Sequence, residues 1–179
     1  LLHIPLPSTT KSKASSSGSL LSGSYDLEAF NQLILTAGLH KCPQYKTCLR
    51  QVYFAVPSQI QDSSIVQDLA QLGIPGAELL HGASALEFLM EWGCGLYSPV
   101  VGETEVFGQI KSFFEQGALD FPELFRIQSK TIQFLLTSIK SVRTQHLTNL
   151  GSQCYGSLLR RYIKDQTKVE LVGTGPFAQ

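Results

Sequence analysis

Cys48 is the residue of this 179-residue sequence whose type and neighbours most directly suggest covalent chemistry. It lies between Lys46 and Arg50, just before a run rich in β-branched and aromatic residues. A cysteine reacts as its thiolate, and neighbouring positive charge lowers the pKa of the thiol. Cys48 is therefore a candidate nucleophile. The alternative is the usual state of a free cysteine, a small buried hydrophobic residue. We expect that state for the other three cysteines, Cys42, Cys94 and Cys154.

Residues 101–111 form a second stretch of this kind. Glu103 and Gln109 each follow a glycine directly, and a glycine-rich approach over residues 93–99 precedes them. Glycine lets the backbone come close to a ligand or to another element. A capped helix that starts after a tight turn would also explain a carboxylate at this place. The stretch alone leaves both explanations open.

A third pattern stands at the end of the chain. Residues 168–172 predict a β-strand, and the Gly-x-Gly-x-x-Ala sequence of residues 173–178 follows it. A strand running into such a turn is the first half of a dinucleotide-binding fingerprint, in which the glycines let the pyrophosphate approach the backbone. A coincidental strand and turn is the alternative, because the chain stops at Gln179, before the helix and acidic residue that complete the motif.

Composition limits the classes of function. The chain has 14 Lys and Arg against 14 Asp and Glu, so no global field recruits nucleic acid or an acidic membrane surface. With 43% hydrophobic and 16% charged residues it fits a globular protein with a real core. The sequence contains no Cys-x-x-Cys pair, so it gives no sign of a structural zinc site. It also contains no apolar run long enough to span a bilayer. The default setting is cytoplasmic and reducing.

The elements that must position these residues follow from hydrophobic spacing. Residues 8–24, rich in Ser, Thr, Lys and Gly, predict a long loop. Strands are predicted over residues 1–6, 52–56 and 77–81. Helices are predicted over residues 26–38, 63–73, 84–90, 103–117, 121–146 and 152–165. This order favours an α+β fold: a small βαβαβ-type, ferredoxin-like layer domain, then a helical segment, then the first strand of a Rossmann-type domain.

Three of these stretches together resemble the glutamyl-tRNA reductase family. The family's active-site motif Ser-Thr-Cys-Asn-Arg-Thr-Glu is similar to residues 46–52, which keep Thr47, Cys48 and Arg50. A second motif, Ser-Gly-Leu-Asp-Ser-Met-Val-x-Gly-Glu-Pro-Gln-Ile-x-Gly-Gln-Val-Lys, is similar to residues 94–111 without a gap. A third, Val-Arg-Thr-Glu-Thr before the nucleotide domain, is similar to residues 142–145. The resemblance covers nearly the whole chain after residue 26.

The chain departs from the family's pattern at four places. Leu49 stands where the family has Asn, and Val52 where it has Glu. A histidine that assists the family's activity corresponds to Phe88, and His81 could replace it only with a different backbone path. The family's amino-terminal Asn-His-Lys-Thr-Ala-Pro motif has no clear counterpart in the Ser-rich residues 8–24. These departures leave room for a divergent enzyme or for a relative without catalysis.

The resemblance implies an oxidoreductase of tetrapyrrole (porphyrin) biosynthesis. The Cys48 thiolate would attack the glutamyl ester of glutamyl-tRNA, and NADPH would reduce the resulting thioester to glutamate-1-semialdehyde. Arg50 would hold a carboxylate, Glu103 would suit the ammonium group, and Glu103 and Gln109 would form one wall of the Cys48 pocket. The full set of substrate-binding residues that the resemblance implies is Thr47, Leu49, Arg50, Ser98, Glu103, Thr104, Glu105 and Gln109.

The resemblance also implies a domain plan. Residues 1–150 would be the catalytic domain, and residues 151–179 a linker helix leading into a truncated NADPH-binding domain. NADPH would contact Gly173, Thr174, Gly175, Pro176, Phe177 and Ala178, and a domain absent from this chain would supply most of its site. The chain alone would form the thioester or hydrolyse the ester, but would not reduce it.

Partners follow from the same resemblance. They are glutamyl-tRNA, glutamate-1-semialdehyde aminomutase and, in the full-length family, a second copy of the protein, with no membrane contact. One alternative is a non-catalytic paralogue that keeps the scaffold to bind tRNA or a tetrapyrrole-pathway partner. Another is a dehydrogenase fragment with an unrelated amino-terminal domain, which the gapless second motif disfavours.

Overall fold

The computed structural model of the chain describes residues 1–5, 26–47, 50–55, 64–74, 76–147, 154–164 and 168. The predicted long loop and the Gly-rich end of the chain lie outside these residues. The chain divides into two compact units, residues 1–85 and 86–179.

The first unit is built on a four-stranded antiparallel sheet. Its elements in chain order are β1 (Leu2–Pro5), α1 (Leu27–Thr36), a 3₁₀ turn (Leu39–Lys41), β2 (Gln44–Lys46), β3 (Arg50–Tyr53), α2 (Ile65–Gln71) and β4 (Glu78–Leu79). The strands lie in the order β2-β3-β1-β4, and all three pairs are antiparallel. The fold is thus mixed α and β, as the sequence predicts. The sheet has four strands instead of the three expected, and the additional strand is β2, which pairs with β3.

Strand register assigns the two faces of this sheet. In β1 and β3, Leu2 lies opposite Tyr53 and His3 opposite Val52. Leu2, Ile4 and Tyr53 belong to the buried core. Because side chains alternate along a strand, His3 and Arg50 point to the other face. The register of β3 therefore decides where Arg50 is placed.

Helix α1 closes the core side of the sheet. The Asp26 side chain accepts hydrogen bonds from the backbone N–H groups of Glu28 and Ala29, at 2.9 and 3.1 Å, so it is the predicted N-cap. Phe30 and Ile34, one turn apart, are buried in the core. Burial of such a side chain stabilises the fold by roughly 1.5–3 kcal/mol.

The second unit is helical. Its elements are α3 (Gly82–Gly93, of which residues 86–93 belong to this unit), α4 (Thr104–Asp120), α5 (Pro122–Val142), a π-helical turn (Arg143–Leu147) and α6 (Tyr155–Ile163). Phe121 alone separates α4 from α5, and Pro122 occupies the first turn of α5, where its missing N–H costs nothing. Residues 94–103 join α3 to α4 and contain the glycine-rich approach.

Aromatic packing holds α4 against α5. The rings of Phe113, Phe114 and Phe125 lie 5.4–6.3 Å apart in tilted and edge-on arrangements. A Cβ at Gly117 would collide with the Phe125 ring, so glycine is what lets the two helices approach at this level.

The observed helices agree with the predicted ones apart from their ends. Helix α3 starts at Gly82 instead of Ser84, whose hydroxyl accepts from the His81 N–H and donates to the His81 carbonyl. Helix α4 starts after Glu103 and runs three residues past Gly117. The predicted strand over residues 168–172 lies outside the described residues, apart from Lys168. Within the part of the chain that the structure describes, no helix is long and apolar enough to cross a membrane.

Candidate functional site

Thr47 and Arg50 close the β2–β3 pairing at one end. The Thr47 N–H donates to the Arg50 carbonyl at 2.8 Å, and the Arg50 N–H donates to Thr47 Oγ1 at 3.1 Å. Together with the ladder, in which Lys46 lies opposite Gln51, these bonds fix the backbone on both sides of the Cys48 position. Cys48 and Leu49 themselves lie outside the described residues.

Arg50 is a buried cation. The residue is only 9% exposed, which is unusual for an arginine. It lies close enough to His3 to act on it electrostatically. Burial first, and the Arg50 charge second, lower the pKa of His3 from 6.5 to about 4. His3 is therefore neutral at pH 7, and the positive charge on this face of the sheet belongs to Arg50.

The other three cysteines are buried in the fold or cap a helix. Cys42 and Cys94 are buried, at 4% and 5% exposure, and burial raises the pKa of both thiols. Cys154 is half-buried and caps α6, where its sulfur accepts the Ser157 N–H at 3.3 Å. A raised pKa keeps a thiol protonated and unreactive. Cys42 and Cys94 are thus poor nucleophiles, as expected.

A tight turn joins α3 to α4 in the second unit. Gly95 and Gly102 have φ angles of 80° and 79°, in the left-handed region that favours glycine. The Gly102 N–H donates to the Gly95 carbonyl at 3.1 Å. A Cβ at Gly95 would lie 2.8 Å from the Glu103 backbone nitrogen. The two glycines therefore let the ends of the turn touch, and Glu103 leaves it directly.

The Glu103 carboxylate is buried and engaged inside this turn. Its side chain is 7% exposed and accepts a hydrogen bond from the Ser98 hydroxyl. Glu103 occupies the N-cap position of α4 but makes no capping hydrogen bond. The capped-helix explanation therefore accounts for the position of Glu103 but not for its side chain. A buried carboxylate held by one hydroxyl keeps capacity to accept from a cationic group.

Arg143 ties both ends of the turn to α5. Its guanidinium donates to the Gly93 carbonyl at 3.2 Å and to the Gly102 carbonyl at 3.1 Å. Burial lowers the pKa of Arg143, and Cys94 opposes that shift. In the sequence Arg143 is only one residue of a motif, with no role assigned. A lone cation 41 residues after the turn gives no signal of its own in a single sequence.

The remaining predicted substrate residues lie on α4. Thr104, Glu105 and Gln109 are exposed, and Glu105 and Gln109 are one turn apart on the same helical face. Within the second unit the structure thus joins Ser98 to Glu103 by a hydrogen bond and places the other three outside that pair. All three stay accessible to a ligand.

Phe88 is a core residue. It is 4% exposed, and its ring centroid lies 5.9 Å from that of Trp92 and 5.2 Å from that of Tyr97. Tyr97 in turn donates to the Glu91 carboxylate at 2.8 Å. The aromatic side chain at this position supports the turn by packing. His81 is exposed.

The structure does not test the predicted cofactor contacts. The predicted nucleotide-contacting residues 173–178 lie outside them. No group of three or more His, Cys, Asp or Glu in the described ranges is arranged to hold a metal ion.

Known proteins resemble this chain over the same region. A family model described as "Glutamyl-tRNAGlu reductase, N-terminal domain" matches residues 20–146. Glutamyl-tRNA reductase of Akkermansia muciniphila is 33% identical over 129 residues, 68% of this chain and 38% of that protein. The Pseudoalteromonas translucida protein of the same name is 30% identical over 169 residues, 83% of this chain and 38% of its own length. The chain belongs to the glutamyl-tRNA reductase amino-terminal domain family.

The match concerns part of a longer protein in each relative. A third relative, glutamyl-tRNA reductase of Methanococcoides burtonii, is 29% identical over 133 residues, 73% of this chain and 31% of that protein. The chain therefore spans about a third of the length of these curated relatives. No solved structure matches the chain.

Proposed function

We propose that the chain binds glutamyl-tRNA and forms a glutamyl thioester on Cys48, the first half of the glutamyl-tRNA reductase reaction. The Cys48 sulfur would attack the carbonyl carbon of the ester. The bond to the ribose oxygen of tRNA would break, and that oxygen would take a proton from water and leave as a hydroxyl. A thiolate suits this step because it is nucleophilic at neutral pH, and the lysine and arginine on either side of Cys48 favour it.

The observation that carries this proposal is the buried Glu103 carboxylate, held by Ser98 and not used to cap α4. A carboxylate removed from water without a stabilising role in its own helix is suited to a cationic ligand. The α-ammonium of a glutamyl ester is such a group. The same residues lie inside the gapless stretch 94–111 that resembles the family's second motif.

The other predicted residues have complementary roles in this proposal. Arg50, fixed by the β3 register, would pair with the side-chain carboxylate of the glutamyl group through its forked donors. Thr47 would hold the backbone next to the nucleophile, as its bonds with Arg50 indicate. Leu49, Thr104, Glu105 and Gln109 would contact other parts of the glutamyl-tRNA.

Reduction would be the second half of the reaction. NADPH, when bound, would supply a hydride to the thioester carbon. The carbon–sulfur bond would then break, which frees the Cys48 thiolate and gives glutamate-1-semialdehyde for porphyrin biosynthesis. We propose that residues 173–178 begin the site for this cofactor and that a further domain completes it, so the isolated chain acylates without reducing. Residues 1–150 would act as the catalytic domain and residues 151–179 as the connection to that further domain. A second copy and the aminomutase that consumes the semialdehyde would be partners of the longer protein.

For the first unit we propose the ferredoxin-like class of fold. The element order β1-α1-β2-β3-α2-β4 and the strand order β2-β3-β1-β4 support it. For the residues from 168 on we propose the first strand of a Rossmann-type domain, which the Gly-x-Gly-x-x-Ala sequence supports.

One observation favours a second candidate function. Phe88 stands at the place of a histidine that assists the family's activity, and its ring packs against those of Trp92 and Tyr97. A paralogue that binds glutamyl-tRNA without acylation would need no such histidine. The two functions differ in one measurable product, a covalent glutamyl adduct.

A quenched labelling assay separates the two functions. The chain is incubated with tRNA carrying radiolabelled glutamate, quenched in acid, and analysed for label on the denatured protein. Thioester formation predicts label on the wild type and on Cys154→Ser, and none on Cys48→Ser. Filter binding of the same tRNA runs in parallel. Binding by the wild type without label would overturn acylation and support the non-catalytic paralogue.

A further inference from the structure

Arg143 directly follows the last residue of α5 and lies one turn after Ile139. Ile139 is fully buried, and a Cβ at Gly93 would collide with its side chain. The last residue of α3 is therefore pressed against α5 at the level of Ile139. One turn further on, the Arg143 guanidinium reaches the Gly93 carbonyl at 3.2 Å. Packing and hydrogen bonding thus act on the same point of α3.

The Gly93 carbonyl needs such a donor. It is among the last carbonyls of α3, which have no partner within the helix and carry the negative end of the helix dipole. A guanidinium is the side chain best suited to it, since it is always charged and carries several donors in a fixed plane. Its second arm reaches the Gly102 carbonyl at 3.1 Å, nine residues further along the chain.

These two bonds span the whole turn. Residues 94–101 lie between the two carbonyls, and Glu103 follows Gly102 directly. Inside the turn the Gly102 N–H donates to the Gly95 carbonyl, and Ser98 donates to the Glu103 carboxylate. The peptide unit that contains the Gly102 carbonyl also contains the Glu103 nitrogen. Fixing that carbonyl therefore fixes the start of the Glu103 residue.

We propose that Arg143 is the positioning residue of the candidate site: by holding the Gly93 and Gly102 carbonyls it sets where the Ser98–Glu103 pair presents its carboxylate. The effect of Arg143 on substrate binding rests on the proposed function, in which Glu103 receives the glutamyl ammonium. The effect of Arg143 on the position of the turn does not depend on that function. Arg143 also begins the π-helical turn of residues 143–147, an irregularity that often occurs at functional positions.

Amide hydrogen exchange tests the positional part on the protein alone. Arg143→Met keeps the apolar part of the side chain and removes both hydrogen-bond donors. Arg143→Lys keeps the positive charge but can reach only one of the two carbonyls. We expect exchange of the Gly95, Gly102 and Glu103 amides to speed up about tenfold in Arg143→Met and by less in Arg143→Lys. The amides of Ile110 and Leu135 in the packed helices should not change.

The matched control lies on the same helix. The Arg126 side chain is exposed and bonds Glu123 in the first turns of α5, so Arg126→Met should leave exchange in the turn unchanged. Unchanged exchange of the Gly102 amide in Arg143→Met would overturn the proposal. Equal acceleration over the turn, α4 and α5 would overturn it as well, since that result means general destabilisation. If Arg143→Met does not fold, the Arg143→Lys comparison decides.

Single-turnover acylation tests the consequence for substrate. A displaced Glu103 weakens the grip on the ammonium group, so the half-saturating concentration of glutamyl-tRNA should rise about tenfold in Arg143→Met, with partial recovery in Arg143→Lys. The maximal acylation rate should change much less, because the nucleophile is untouched. A fall in maximal rate with an unchanged half-saturating concentration would contradict positioning of Glu103. A wild type that forms no adduct defeats the proposed function, and the exchange result then decides the role of Arg143.

Discussion

Two regions of the molecule are held by hydrogen bonds of very different range along the sequence. They are the segment Thr47–Arg50 and the turn of residues 94–103. Thr47 and Arg50 bond each other across three residues and continue a regular ladder. The turn closes on itself through Gly95 and Gly102, but its ends are held by Arg143, 41 and 50 residues away. The first arrangement is set by strand register. The second depends on the packing of three helices.

This difference predicts how each region fails. A local arrangement loses one hydrogen bond when one partner is changed, and the rest of the ladder remains. A turn without room for a Cβ must move as a whole when its geometry is changed. Substitutions in the turn should therefore cost more stability than comparable ones beside β3. The following predictions run from the largest expected effect to the smallest.

Gly95→Ala should be the most damaging single change. It adds strain at a φ of 80° and a Cβ only 2.8 Å from the Glu103 nitrogen. We expect the free energy of unfolding to fall by about 3 kcal/mol in chemical denaturation. Gly108→Ala is the matched control, because Gly108 lies inside α4 with open space around it. Alanine there should stabilise by about 0.5–1 kcal/mol. Equal losses in both variants would contradict the close approach in the turn.

Glu103→Gln should weaken substrate capture while keeping the fold. Glutamine has the same shape and can still accept from Ser98, but it removes the charge that attracts an ammonium group. Single-turnover acylation should show a rise of about tenfold in the half-saturating concentration of glutamyl-tRNA. Glu115→Gln, at an exposed position of the same helix outside the proposed site, should have a much smaller effect. The role of Glu103 would be disproved by equal effects of the two substitutions.

Thr47→Val should lower the stability of the protein by weakening the segment Thr47–Arg50. Valine keeps the shape and β propensity, but the Arg50 N–H loses its side-chain acceptor. Thermal and chemical unfolding should show a loss of about 1.2 kcal/mol. Thr36→Val is the control, since that hydroxyl bonds only a carbonyl of its own exposed helix turn. A loss as large as that of Gly95→Ala would remove the contrast between the two regions.

The lowered pKa of His3, on strand β1 beside β3, predicts that the free energy of unfolding depends on pH. The folded pKa of about 4 lies below the ordinary value of 6.5, so between these values the unfolded state binds the extra proton. Stability should fall as the pH drops from about 6.5 to about 4, by about 1 kcal/mol after allowance for the partial exposure of His3. In His3→Gln this part of the slope should disappear from a series of denaturation curves. An unchanged slope would mean that other groups cause it.

The local features of this fold follow from the sequence, whereas the long-range ones do not. The Asp26 cap, the helix stop before Gly38 and the apolar faces of α4 and α5 follow from patterns within one or two turns. Strand β2 was missed because three residues, Gln44–Lys46, carry too short an alternation. The family resemblance marked Ser98 and Glu103 but could not show that their side chains bond each other. Arg143 had no assigned role because only tertiary packing brings it to the turn.

Peptide mapping of the acylated chain tests the central proposal most directly. The wild type is incubated with glutamyl-tRNA, quenched and digested at acidic pH, and each of the four cysteine-containing regions is examined by mass spectrometry. We expect a glutamyl group on the peptide with Cys48, and neutral hydroxylamine should release it as it releases a thioester. We expect none on Cys42, Cys94 or Cys154, because Cys42 and Cys94 are buried with raised pKa values and Cys154 caps α6. A glutamyl group on one of those three, or on none of the four, would contradict it.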